Sequence, residues 1–249
     1  MCGQCHSIEI FLSDDKAIDW IQEGSRFRPG DRLSEFETTV CGRYEDNPPE
    51  VQAYLDNHRS FRLRNCFWED GAIRVTGREY HAMLETPCYQ RGEMSCLSCH
   101  KMHRPADDPR SLETWANDQL GFQMGGNDAC LQCHPRFADR QVLSAHTHHR
   151  ANSTGSECQN CHMPHTTWGL LRAIRSHTID SPSVQTSVTT GRPNACNLCH
   201  LDRTLQWTAD TLEQWYDIDP PELSEDEKTV AASVLWILRG DAVQRALVA

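Results

Sequence analysis

The clearest apolar periodicity lies towards the C-terminal end of the chain. Between Arg203 and Tyr216, the residues Leu205, Trp207, Leu212 and Trp215 recur at helix-like spacing. Pro220-Pro221 breaks that pattern, and Ser224-Glu225-Asp226-Glu227 reads as a capping box before an apolar helix from Val230 to Leu238. Gly240-Asp241-Ala242 reads as a break and restart, with Ala242, Val243, Ala246, Leu247 and Val248 as the next apolar stripe. Upstream, strong patterning is scarce. Ala72 to Thr76 alternates as a strand does, after a turn at Glu69-Asp70-Gly71, so a small β hairpin embedded in loops is expected. Gly30-Asp31 and Asn47-Pro48-Pro49 mark loops. The expected fold class is mainly α with much irregular loop, a small β hairpin and C-terminal helices. The expected divisions are an N-terminal segment 1–95, a motif-dense domain 96–201 and a helical segment 202–249, which could open a helical repeat.

Composition sharpens this picture. Only 38% of the 249 residues are hydrophobic, below the ~45–50% of a domain that packs around its own side chains. Something other than side chains must supply core, or much of the chain is irregular. Lys plus Arg is 24 and Asp plus Glu is 35, giving a net charge of −11. That balance argues against nucleic acid or an anionic membrane as the main partner. No apolar run is long enough to form a transmembrane segment.

The cysteines explain the deficit. Ten of the thirteen fall into five C-x-x-C pairs: Cys2/Cys5, Cys96/Cys99, Cys130/Cys133, Cys158/Cys161 and Cys196/Cys199. Each pair is followed at once by a histidine: His6, His100, His134, His162 and His200. C-x-x-C-H is the attachment pattern of c-type haem. The two thiols add to the porphyrin vinyl groups, and the adjacent imidazole then lies under the ring to ligate iron. A zinc ribbon could use two such pairs but needs no histidine after them, and five pairs leave one unmatched. A disulfide framework has no reason to repeat this spacing. Five haems c are therefore expected. Cys41, Cys66 and Cys88 remain, and in an oxidising compartment they suggest one disulfide and one free thiol.

Eight further histidines could supply the opposite axial positions. His103, His146, His149, His177 and His81 are the candidate distal ligands. His58, His148 and His165 fit solvent or a haem propionate better. His103 is only three residues from His100 and cannot reach the other face of the same ring, so it would serve a neighbouring haem. The cluster His146-Thr147-His148-His149 could give two ligands to two irons. With enough distal histidines the irons are saturated, and no motif has lysine in place of its histidine. Both points favour an electron carrier over an enzyme.

From Met1 to about Trp215 the chain resembles multihaem c-type cytochromes of the cytochrome c554-like group, and most of all a subfamily often fused to helical repeats. The matching stretches are CGQCH, FRPGD, WEDGAIRVTGREY, MSCLSCHKMH, AHTHHRANSTGSECQNCHMP, RSHTI and PNACNLCHLDRTLQW. The resemblance implies export, covalent haem, a fold built around stacked haems and largely bis-histidine irons. It also implies His103, His146, His149 and His177 as distal ligands, through CHxxH, HxxH and RxH elements.

Export places the protein in the periplasm or outside the cell, although no signal peptide stands before Cys2. The expectation is a chain truncated or processed at its start and cut at its end. Each ferric bis-histidine haem with ionised propionates adds about −1. Redox partner proteins, other cytochromes among them, should therefore dock through a cationic patch. The alternatives are a nitrite- or hydroxylamine-type oxidoreductase with one open haem, and a haem-stapled scaffold or filament subunit. Pyridine haemochrome assay of the purified holoprotein should count five haems per chain, and a count well below five would exclude this reading.

Overall fold

The computed structural model describes residues 2–58 and 63–249. It is mainly helical, with long irregular connections and two small antiparallel sheets. Strand β1 (Glu9–Ile10) pairs with β2 (Thr38–Thr39), Glu9 opposite Thr39, and β3 (Thr167–Gly169) pairs with β4 (Arg172–Ile174) in a tight hairpin.

The turn at Glu69-Asp70-Gly71 forms as expected. Gly71 N–H bonds the Trp68 carbonyl, Asp70 Oδ1 accepts from Ala72 N–H, and Gly71 takes the left-handed φ of 86°. Ala72 to Thr76 does not form a continuous strand. Ile73 bridges back to Phe67 and Val75 turns to pair with Trp168, so single residues are shared between two partners. The N-terminal segment also holds more helix than its patterning suggests. Pro49 opens a helix, Pro49–Asn57, rather than a loop, because proline at the first helical position loses no hydrogen bond. A second helix, Asp14–Glu23, runs from a Ser13 cap to Gly24; it carries an apolar stripe of Ala17, Ile18, Trp20 and Ile21, yet none of its residues is buried.

At the C-terminal end the helix Leu205–Tyr216 starts at Thr204, whose side chain accepts from Trp207 N–H. Leu205, Ala209 and Leu212 are buried, while Trp207 and Trp215 are only partly so. The capping box at Ser224 and Glu227 forms, but its helix stops at Thr229. A second helix, Ala232–Arg239, replaces the single run expected from Val230. The break has a cause: the Arg203 carbonyl captures Ala232 N–H at 2.9 Å, and Ser233 Oγ donates to the Leu201 carbonyl at 2.6 Å. The restart at Asp241 forms, its side chain capping the helix Ala242–Val248.

Two apolar clusters result. One joins Ile8, Ile10, Val40, Val51, Phe67, Ile73 and Ala82. The other joins Val184, Leu205, Ala209, Leu212, Ala232 and Trp236. Between them the aliphatic core thins out. Among the described residues of 96–201, Trp115, Leu143, Val184 and Ala195 are the buried apolar side chains.

The expected disulfide is not formed: no bond joins any two of Cys41, Cys66 and Cys88, the three cysteines outside the motifs. Cys41 lies near Asp46 and Glu85, whereas Cys66 lies near Arg74 and Arg78, so the two occupy different surroundings.

Beside the first cluster, burial and a hydrogen bond shared with Glu9 push the Glu37 carboxyl up from its usual 4.5 to about 7. The folded state therefore holds a proton that the unfolded chain releases. This contribution to stability is full below pH 4.5 and is lost as pH rises through about 7. Urea midpoints at pH 5 and pH 8 should differ less for Glu37→Gln than for the parent chain.

Candidate haem-binding site

Each C-x-x-C-H segment closes one helical turn. The histidine N–H bonds the carbonyl of the first cysteine in four of them: His6 to Cys2 at 3.0 Å, His100 to Cys96 at 2.8 Å, His134 to Cys130 at 2.9 Å and His200 to Cys196 at 2.8 Å. The fourth motif is itself the helix Cys158–His162. Residues three and four apart share a helix face, so each turn presents two sulfurs and one imidazole together.

The five turns lie side by side in chain order. Cys2 neighbours Cys96, which burial and this neighbour push up to about 11. Cys99 feels Cys133. Cys130 neighbours Cys158, and the contact between the two pushes Cys130 up and Cys158 down. Cys161 feels Cys199, and Cys196, driven up to about 12 by burial, feels Cys161. The polar glue is visible at one junction. Asn127 accepts from Cys158 N–H at 2.8 Å and donates to the Ser156 carbonyl at 2.9 Å, tying the third motif to the fourth.

Three motif histidines face a second imidazole. His100 and His177 have ring centres 6.3 Å apart and an interplanar angle of 18°. His146 and His162 stand 6.2 Å apart at 4°, and His149 and His200 stand 6.2 Å apart at 34°. Direct ring stacking is much closer, as in His148 on Trp215 at 4.2 Å. With a metal–nitrogen bond of about 2 Å and the ring centre about 1.1 Å behind the nitrogen, two imidazoles across one metal stand about 6.2 Å apart. The three gaps fit one iron each.

Local backbone explains how one short stretch serves two sites. His146 lies in the last turn of the helix Arg140–Thr147. His148 then caps it in the left-handed conformation, φ 55° and ψ 22°, and swings His149 away towards His200. Gly155 leaves room for that ring, since a Cβ there would collide with it.

The other ring nitrogen is tied down at five positions. Nδ1 of His100 bonds the Asp118 carbonyl at 3.0 Å, that of His162 the Asp180 carbonyl at 2.6 Å, that of His149 the Thr147 carbonyl at 2.6 Å and that of His177 the Arg175 carbonyl at 3.3 Å. His6 differs: its Nδ1 bonds Glu79 Oε2 at 2.8 Å. These bonds fix the tautomer that leaves Nε2 free for a metal. Burial pushes the pKa of His177 down, which keeps it neutral, as a metal ligand must be. Burial of Glu79 is outweighed by hydrogen bonds from its own backbone N–H, His6 and Gly77, which hold its carboxyl below its usual range.

The remaining candidates are placed otherwise. His103 is exposed on an irregular loop. His81 is buried, and its Nε2 accepts from Ile8 N–H at 2.6 Å. Burial and the nearby Arg78 push its pKa down to about 4. His58 stacks on Tyr54 at 3.8 Å. Asn127, Glu79 and Gly155 carry no motif, and only their three-dimensional neighbours mark them.

Residues 89–139 match the family model described as the doubled CXXCH motif. That segment, with the second and third motifs, is a doubled CXXCH unit. No curated protein matches the chain. Among solved structures, the outer cell wall cytochrome OcwA aligns at 17% identity with a TM-score of 0.46, covering 87% of this chain and 51% of its own. The chain thus spans about half the length of that protein. No helix among the described residues is long and apolar enough to cross a membrane.

Replacing His177 by alanine removes one imidazole of one pair and no thioether. One haem per chain should become high-spin in resonance Raman spectra, with haem content unchanged.

Proposed function

We propose that this chain is an exported multihaem c-type cytochrome that relays single electrons along five covalently held haems in chain order. The observation that carries the reading is the three facing histidine pairs at 6.2–6.3 Å. Haem iron supplies the one-electron couple between its +3 and +2 states. The chain's residues do the rest. Two thioethers per site would fix each ring, and His100/His177, His146/His162 and His149/His200 would close three irons to other ligands. His6 and His134 would hold the remaining two from one side. Asn194 Nδ2 and Thr178 Oγ1 are buried without a protein partner and suit haem carboxylates as donors. The thinned aliphatic core between the two clusters supports the same reading, because porphyrin surface would take its place.

His103, exposed three residues beyond His100, is the ligand we assign to a neighbouring iron. We divide the chain near 95 and 201: the first site falls in 1–95, the other four in 96–201, and the closing helices in 202–249. Haem attachment to exported chains places the protein in the periplasm or beyond it. Partners are redox proteins with a cationic face, matched to a chain of net charge −11.

The test is electron transfer from the reduced holoprotein by stopped flow. Its rate to hexaammineruthenium(III), a cation, should fall with rising salt, and its rate to ferricyanide should not. Failure to reduce either oxidant overturns the relay. A second reading has one observation in its favour: among the described residues no histidine ring faces His134 or His6 at pair distance. A high-spin signal that shifts on adding nitrite or hydroxylamine would replace the relay with an oxidoreductase.

A further inference from the structure

We infer that Glu79 tunes the first site electronically and makes its haem the lowest-potential member of the row. The inference rests on the haem reading above and concerns how the five sites differ. Four imidazoles across the paired sites lean their Nδ1 on backbone carbonyls, which are neutral acceptors. His6 alone among the described histidines leans on a carboxylate, Glu79 Oε2 at 2.8 Å.

The arrangement is built. The Glu79 side chain is only 19% exposed. Its second oxygen accepts from Gly77 N–H at 2.7 Å, so the carboxylate is held from both sides. It stands at the start of the helix Glu79–Leu84. A charged acceptor draws the imidazole proton more strongly than a carbonyl does. The ring becomes more basic and donates more density to its iron, which favours the ferric over the ferrous state. Glu9 adds negative charge on the strand that follows the motif, where Ser7 Oγ donates to it at 2.9 Å. Arg78 is the nearby cation, donating to the Cys5 carbonyl at 3.3 Å, and it acts in the opposite direction. Glu79 is a positioning residue: it touches the ligand and not the iron.

The consequence is directional. The first turn adjoins the second through Cys2 and Cys96, so it is one end of the row. An electron placed at that end moves inward, and electrons accumulate away from it.

The test is a spectroelectrochemical titration of the five-haem protein, parent against Glu79→Gln. The lowest midpoint should rise by at least the 59 mV that marks a tenfold change in a one-electron equilibrium, and by more than that of the second site, whose His177 also feels the Glu79 charge. An unmoved lowest midpoint, or a larger shift at any other site, overturns the inference. If the glutamine variant is not matured, the Cys2→Ala, Cys5→Ala double variant decides. Loss of the lowest midpoint supports the inference and its retention overturns it. Haem counting in every variant keeps the two readings apart. A parent chain without five haems refutes the cytochrome itself, whereas five haems with an unmoved lowest midpoint refute only the role of Glu79.

Discussion

An imidazole can grip a metal from one side only, and its partner must come from the opposite side at a fixed span. That span, 6.2–6.3 Å between ring centres, recurs three times here between residues that are never adjacent in sequence. His146 and His149 meet that span on either side of the left-handed His148 that ends the helix Arg140–Thr147, and His177, after the fourth motif, meets it against His100 of the second. The carbonyls of Asp118, Asp180, Thr147 and Arg175 hold four of the six rings, those of His100, His162, His149 and His177.

The two aliphatic clusters are best understood as bookends. Neither extends through the stretch that carries four of the five motifs. They are joined by polar contacts instead. Arg192, 10% exposed, bonds Asp180 at 2.6 Å and Asp70 at 3.1 Å, linking the turn after Trp68 to the loop that holds His162. Arg74, 9% exposed, reaches Asp241 at 2.5 Å and ties the N-terminal segment to the last helix. In each pair the arginine is buried and the carboxylate is not, so losing the carboxylate would strand a buried cation. They fix how the bookends sit.

Much of the local chemistry was legible because it is local. One helical turn defines each C-x-x-C-H unit, and the capping boxes at Ser224 and Asp241 are contained in four residues. The errors came where distant groups intervene. The helix expected from Val230 is split by a carbonyl thirty residues upstream. The strand expected from Ala72 is divided between two partners. The pairing of His177 with His100 is set by tertiary packing, and Glu79 stands in no pattern at all. Asn47-Pro48-Pro49 misled for a different reason, since proline both breaks helices and begins them.

The meeting of His177 with His100 closes a stretch of 77 residues, because 177 − 100 = 77. Closing so long a loop costs entropy that a nearby ligand would not, although the cost grows only logarithmically with length. The third and fourth motifs lie within that loop, between the two halves of the second site. On the haem reading, the colour of an iron held between His100 and His177 would report whether that 77-residue span is closed.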